Sequence, residues 1–470
     1  VSRYILTCAQ NNTLIHEAVW ENLTALSRHY AAEILVSRFS YDKASHNKGA
    51  KPGTEADRDD LWYDPKLTGF FSDERIQLAP GLVWCGEMNI LPTAVRPLSG
   101  LEAYTGRQSG IFPHVKLAMD SIASGKREPT KFNYTTGTIT QRNYIQKKAG
   151  QKAEFHHCYG GLLVEVDSDG AWWVRQLNAD SDGVIYDWDL KADRGKVTAG
   201  HRVKAINWGD IHVGRIEPKV AAASWGPGGM LDSLQPEFQF AHDTLDFHSD
   251  NHHDRLNPHR RYELYITGQT AVEQEIQSVA RFLFDIQRKN CETVVVDSNH
   301  DNALERWLRE ADHKKDPANA IFYLEAQLAK YRAIRRGDKN FHLLEWAVKR
   351  AFRDKQAVNA DLQNLKFLRE DESFVICRDR NGGIECGMHG HLGPNGARGS
   401  IAAFAKMGRK ANLGHSHTAG IRDGIYQDGT SSELDLGYNR GPSSWSWTHT
   451  ITYQNGKRTL VTVWRGKCRA

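Results

Sequence analysis

The sequence predicts an α/β protein, and three observations carry that reading. The first residues alternate a strand-like run, an amphipathic helix and a second strand. A series of short apolar strands in the second half each ends in a polar turn that bears His or Asp. A long helix-patterned segment interrupts that series after its third turn.

Taken in order, Tyr4 to Cys8 reads as a strand, Leu14 to Ala32 as a helix by its apolar spacing, and Glu33 to Phe39 as a strand, which is a β-α-β start. Strands follow at Gly81 to Cys85, Gly161 to Val166 and Ala171 to Leu177, the last two joined by Asp167-Ser168-Asp169-Gly170. A basic stretch at 126–152, with Arg127, Lys131, Arg142, Lys147 and Lys148, reads as a solvated loop or as a phosphate-lining one. Within it, Thr135-Thr136-Gly137-Thr138 and the run from Lys148 to His157 read as turns and a strand entry, or as a phosphate site. Beyond a polar, turn-rich stretch at 178–200 come strands at Arg202 to Trp208 and Glu237 to Ala241, then a helix from Ala271 to Lys289 feeding a strand at Glu292 to Val296. A helical insertion spans about 303–370, with a basic stretch at Lys330, Arg332, Arg335 and Arg336. Strands return at Ser373 to Arg378, Ile384 to Met388 and Ala411 to Leu413, with a helix at Ser400 to Met407, and Asn455-Gly456 turns a closing hairpin. No internal repeat is visible, and the expected division is an α/β domain at 1–198 followed by a second domain at 199–470.

Composition excludes whole classes. With 40% hydrophobic residues, 13 Trp, 16 Tyr and 17 Phe, the 470-residue chain has ample apolar area for packed cores and is not a disordered or collagen-like polymer. A net charge of +4 rules out a surface that is basic throughout, so any polyanion must be met locally. Seven cysteines without a Cys-x-x-Cys pair read as reduced thiols and a cytoplasmic chain, and no apolar run approaches the ~18 residues of a membrane span. The unusual count is 21 His, many of them clustered in the second half.

Those histidines fall where chemistry is expected. Asp210 and His212, Asp243, Asn299 and His300, His389, and His415 with His417 each follow a predicted strand, and open α/β sheets bind ligands at the carboxyl ends of their strands. Carboxylate, amide oxygen and imidazole without thiolate suit Mn, Fe, Zn or Mg rather than a structural thiolate zinc.

The segments Gly-Asp-Ile-His, His-Asp-Thr-Leu-Asp, Asp-Ser-Asn-His-Asp, Met-His-Gly-His and Gly-His-Ser-His resemble the five blocks of the calcineurin-like metallophosphoesterases over about 202–420. The resemblance implies a four-layer α/β/β/α sandwich with an additional N-terminal α/β domain, and two divalent ions, Mn2+ first among Mn2+, Mg2+, Fe2+ and Zn2+. It implies that Asp210, His212 and His417 hold one ion, that Asn299, His389 and His415 hold the other, and that Asp243 bridges them. His300 is then the non-ligand acid beside the scissile phosphate. Departures leave alternatives open: His242 and Ser298 stand where glycine is usual, Asp246 competes with Asp243, and His391 competes with His389.

A further histidine cluster follows the second block. His252, His253 and Arg255 read there as substrate-phosphate contacts or as a solvated polar loop. Taken whole, the chain also resembles phage-encoded metallophosphoesterase-type proteins, some of them DNA-degrading enzymes made pre-early in infection by T5-like phages. The expected function is therefore a two-metal phosphodiesterase acting on nucleic acid, a DNase first, in the host cytoplasm, with room for a homo-oligomer. Two other readings stand beside it: a small-molecule phosphatase or cyclic-nucleotide phosphodiesterase of the same fold, and a nucleic-acid-binding or host-interaction protein whose metal site is silent.

Overall fold

A computed structural model describes residues 1–41, 61–251, 254–354, 364–379 and 382–470. The first part of the chain forms β1 (Ser2–Gln10), α1 (Glu17–Tyr30), β2 (Glu33–Phe39), β3 (Arg75–Ala79), β4 (Leu82–Cys85), β5 (Ser109–Phe112), β6 (Met119–Ile122), β7 (Lys131–Thr135), α2 (Lys148–His156), β8 (Gly160–Val166) and β9 (Trp172–Asn178). Three short strands, β10 (Ile185–Asp187), β11 (Leu190–Asp193) and β12 (Lys196–Thr198), form a separate small sheet. The second part begins with β13 (Ala205–Asn207), α3 (Pro218–Ser224), α4 (Met230–Leu234), β14 (Phe238–Ala241), α5 (Pro258–Ile266), α6 (Val272–Asp285) and β15 (Glu292–Val295). It continues with α7 (Ala303–Glu310), α8 (Ala320–Arg335), α9 (Leu343–Asp354), β16 (Leu365–Phe367), β17 (Val375–Ile376), β18 (Ile384–Glu385), α10 (Ile401–Phe404), β19 (Lys410–Leu413), β20 (Gly420–Arg422), β21 (Ile425–Gln427), β22 (Thr448–Thr452) and β23 (Arg458–Thr462).

The predicted β-α-β opening is present. The ring Nδ1 of His16 caps α1 by accepting the Val19 N–H, and Ala31 in the left-handed region ends the helix before the chain returns along β2. The helical insertion is α7, α8 and α9, which stops short of the expected end. Leu365–Phe367 is instead a strand, because it pairs parallel to β15 at the edge of a six-stranded sheet ordered β16-β15-β14-β13-β22-β23. The basic stretch at 126–152 is not one loop: it contains β7 and the start of α2, and Lys131 is buried, its ammonium donating to the Gly106 carbonyl at 2.7 Å.

Two large sheets pack face to face. Ala205, Phe240 and Val294 of the six-stranded sheet meet Ile376 and Ile384 of a ten-stranded sheet in one apolar cluster, which Val296 and Cys386 extend just beyond the strand ends. On the outer face of the six-stranded sheet, Val220, Leu231, Ile276, Val279, Leu283 and Val348 bring α3, α4, α6 and α9 onto the strands. α10 covers the far side of the ten-stranded sheet through Phe404 against Ala411, Leu413 and Ile425.

The ten-stranded sheet, ordered β17-β18-β19-β21-β20-β6-β7-β5-β4-β3, draws strands from both sides of residue 198. The expected division there falls between strands but not between sheets, since β6 pairs antiparallel with β20 at Met119↔Ile421 and Asp120↔Gly420. The four-stranded sheet β2-β1-β8-β9 packs on the same ten strands through Leu6, Leu162 and Val164 against Trp84, Ile111 and Met119.

The topology also corrects the expectation that the chain has no internal repeat. β3-β4-β5-β7-β6 pair in the order and directions of β17-β18-β19-β21-β20: antiparallel, parallel, parallel, antiparallel. Likewise β2-β1-β8-β9 repeats β14-β13-β22-β23 as parallel, antiparallel, antiparallel. The first half is thus a shorter copy of the second, related to it by a local twofold axis at the β6–β20 seam. All seven cysteines are free, and among the described residues no helix is long and apolar enough to cross a membrane.

Candidate metal centre

The predicted ligands meet at one end of the second half, beyond the carboxyl ends of β13, β14, β15 and β19. Asp210 lies three residues after β13, and its backbone is pinned from both sides. Its N–H donates to the Gly429 carbonyl at 3.2 Å, and its own carbonyl accepts the Ser431 N–H at 2.7 Å and the Thr430 hydroxyl at 2.9 Å. Asp210 Oδ1 accepts the His415 N–H at 3.1 Å, and Oδ2 lies 3.1 Å from His417 Nε2. Gly414 has to be glycine: a Cβ there would stand 2.3 Å from Asp210 Oδ1.

Around this carboxylate, one donor atom each from Asp210, His212, Asp243 and His417 lies within 4.8 Å of all the others, and all four residues are buried. A second set touches it. Asn299 Oδ1 is 3.1 Å from both His389 Nε2 and His415 Nδ1, and His389 Nε2 is 3.3 Å from Asp243 Oδ2. Asp243 therefore faces both sets. Asp246 takes a different place, accepting from His212 Nδ1 at 3.0 Å, and so orients that ring with Nε2 inward. His389 rather than His391 reaches the cluster; the His391 ring sits 5.4 Å from that of His389 and 6.1 Å from that of His415. His300 stands at the margin, half-buried, its ring edge-on to His212 at 4.6 Å and its Nδ1 3.0 Å from the Asp246 carbonyl.

The donor set fits a cation. His417 Nε2 stands 3.1 Å from both His212 Nε2 and Asp210 Oδ2, so two imidazole nitrogens and a carboxylate oxygen converge on one buried point. Electrostatics agree. Burial alone raises a carboxyl pKa, yet His389 and other imidazoles hold Asp210 and Asp243 well below the carboxylate range. Burial lowers an imidazole, yet Asp243 and Asp210 raise His389 to about 9, and Asp246 with Asp243 raises His212 to about 9. Buried carboxylates that hold protons on their imidazole neighbours can exchange those protons for a metal ion. Four of the residues, His212, Asp243, His415 and His417, have φ between 46° and 75°, which is costly for residues with a Cβ and recurs at functional sites.

Some candidates do not reach this point. His252 and His253 lie outside the described residues. Arg255 lies beside Asp250 and Glu310, at 3.5 and 3.6 Å. Lys330 of the second basic stretch is paired with Glu305 at 2.7 Å.

Other participants carry little sequence signal. Asp301 accepts from the Thr244 hydroxyl and the Leu245 N–H, steadying the chain beyond Asp243, and burial with the nearby Asp243 raises it to about 6. Trp445 packs edge-on against His417 with ring centroids 4.2 Å apart. It opens on a cavity of about 400 Å³, also lined by Trp172, Trp173, Trp447 and Trp464 with Arg107 and Lys126. No spacing rule would have joined tryptophans from both halves.

Against known proteins, the chain is 40% identical over 479 aligned residues to Protein A1 of Escherichia phage T5, covering 99% of this chain and 82% of the relative. The chain belongs to the Protein A1 family. No family model matches it. No solved structure matches it. The similarity to Protein A1 runs through both halves of the chain.

Proposed function

We propose that this member of the Protein A1 family is a two-metal phosphodiesterase that hydrolyses nucleic acid, a DNase first, on a calcineurin-like four-layer α/β/β/α core. The observation that carries the reading is the position of Asp243, whose carboxylate faces His212 at 3.7 Å and His389 at 3.3 Å and so stands between two sets of donors. Asp210, His212 and His417 would hold one divalent ion, and Asn299, His389 and His415 the other, with Mn2+ suited to this mixture of oxygen and nitrogen. When bound, such a pair of ions lowers the pKa of water and offsets the charge of a phosphoryl group.

The remaining chemistry belongs to the chain. The contact with the Asp246 carbonyl fixes His300 through Nδ1 and leaves Nε2 free, so this edge of the ring is the one able to give a proton to a leaving oxygen. Asp246 keeps His212 in a single orientation, and Asp301 braces the turn that bears Asp243. Helices over one sheet, two sheets face to face and α10 beyond the second support the layered core.

The tryptophan cavity favours nucleic acid over a small phosphate ester, because indole faces stack on unpaired bases whatever the sequence. The test is manganese-dependent cleavage of linear, nicked and single-stranded DNA beside an aryl phosphodiester. Cleavage of DNA that disappears in Asp243→Asn supports the reading; turnover of the aryl ester alone refutes the nuclease assignment.

A further inference from the structure

The duplicated fold places a counterpart of the metal centre in the first half, and the match is close enough to compare residue with residue. In the second half the Thr430 hydroxyl bonds the Asp210 carbonyl and lies 2.7 Å from the Ser432 hydroxyl. In the first half the Thr138 hydroxyl bonds the Cys8 carbonyl at 2.7 Å and lies 3.0 Å from the Thr140 hydroxyl. The N–H of the next residue, Ser431 or Ile139, donates to the same carbonyl in each case. Cys8 therefore stands where Asp210 stands, and Gln10 where His212 stands. β5 runs into Pro113-His114-Val115-Lys116 as β19 runs into Gly414-His415-Ser416-His417, which puts Lys116 in the place of His417. β2 ends in Ser37-Arg38-Phe39, with no carboxylate or imidazole to match Asp243. Among the described residues, no group of metal-capable side chains forms in the first half.

What lies beside that end is a cleft of about 1360 Å³, and the twofold relation makes it the counterpart of the tryptophan cavity. One wall comes from the first half, including Lys116, Lys152 and His156, and the other from turns of the second half bearing Arg409, Lys410 and Lys457. Its charge is compensated only in part. Asp423 is shared between Lys116 at 2.5 Å and His156 at 3.7 Å, and Arg409 pairs with Glu385 at 3.1 Å, while among the described residues no carboxylate lies within 4 Å of Lys152, Lys410 or Lys457. Burial, then repulsion from Arg458 and Lys457, pushes the Lys410 ammonium pKa down, as expected of cations gathered without a counter-ion.

We propose that this cleft is a second, non-cleaving phosphate site, in which lysines hold the backbone of a nucleic-acid strand at the position where the other half carries its tryptophan cavity. A polymer is favoured over a free anion because the volume exceeds the roughly 300–1,000 Å³ of small-molecule pockets and because the free cations are spread over both walls. The inference rests on the proposed function only in taking the bound strand to be the substrate.

The experiment measures binding of a short fluorescein-labelled single-stranded oligodeoxynucleotide to the full chain in EDTA, across a salt series. For the triple variant Lys152→Ala, Lys410→Ala, Lys457→Ala, affinity should fall about tenfold or more and the slope of log K against log salt should flatten by about 2, near 0.7 for each lost contact. Thermal unfolding checks that the variant folds, and the charge-keeping pair Lys152→Arg, Lys457→Arg should bind like the parent. Unchanged affinity and slope in the folded triple variant overturn the proposal. If calorimetry shows pyrophosphate binding that needs these lysines while oligonucleotide binding does not, the cleft is a small-anion site and the polymer assignment is overturned. A parent that fails to cut DNA with manganese but keeps lysine-dependent binding removes the nuclease reading and leaves this one intact.

Discussion

At the scale of single residues, the centre depends on contacts that differ in kind. Asp243 faces both donor sets, whereas His417 touches one of them, so Asp243→Ala should lose more bound manganese and more activity than His417→Ala, as read by metal analysis and single-turnover kinetics. Asp246 acts through His212, and its replacement by Ala should weaken metal affinity by about 10–100-fold without removing a donor. A matching titration of Asp246→Asn should fall between parent and Ala. Gly414→Ala forces a methyl group against Asp210 Oδ1, and should cost about 1–3 kcal/mol of stability together with lost metal affinity. Most of this cluster was legible in the sequence, because each donor follows a short apolar strand and such strands end together at one edge of an α/β sheet. The division of labour between Asp243 and Asp246, or His389 and His391, was not. It is set by which side chain the turn points inward, and that depends on backbone angles that spacing does not reveal.

At the scale of elements, the first half is fastened by a buried ionic knot. Arg175 of β9 makes a paired contact with Asp187 of β10 at 2.8 Å on both arms and a third contact with Glu165 of β8 at 2.6 Å, while Tyr30 of α1 donates to Asp187. Arg175→Met leaves the buried Asp187 without its cation, while Glu165 keeps Arg3 at 2.9 Å, and should destabilise the chain by about 3–5 kcal/mol in chemical denaturation. Burial alone would raise the Asp187 pKa, but Arg175 and Tyr30 hold it below its ordinary 3.8. A depressed carboxyl contributes stability above the unfolded value that is lost as pH falls. Denaturation midpoints should therefore drop below about pH 3.8 in the parent, and less so in Asp187→Asn. β8 and β9 were readable from their apolar runs, but β10, which carries Asp187, falls in the stretch 178–200 that reads as polar turns, and the partnership was not readable either, since Arg175 and Glu165 read as polar positions on opposite sides of a hairpin. A second element to test is the wall of the tryptophan cavity. Trp445→Ala should weaken single-stranded substrate by about 1–3 kcal/mol, seen as a raised KM with less change in kcat.

At the scale of the whole molecule, two copies of one topology share a ten-stranded sheet through the seam of β6 and β20. The halves should not survive separation. A chain cut near residue 198 and expressed as 199–470 would expose the β20 edge and the apolar face around Ile421 and Tyr426, and should aggregate or lack a cooperative melt, whereas co-expression of both pieces should restore one. The repeat escaped the sequence for a physical reason. What a fold must keep is the alternation of buried positions and a few anchoring hydroxyls, here Thr138 with Thr140 against Thr430 with Ser432. Several of the intervening stretches differ in length, and among the described residues the helices α7, α8 and α9 have no counterpart in the first copy. Identity between the halves is correspondingly sparse, while strand order and direction persist.

The left-handed backbone at His212, Asp243, His415 and His417 has a consequence for how the protein trades stability against its chemistry. Each such residue is held in a conformation that glycine adopts freely and that costs other residues of order 1 kcal/mol or more. In metal-free buffer, glycine at His415 or His417 should therefore raise the melting temperature of a protein it disables, and saturating manganese should reverse the order by stabilising only the parent.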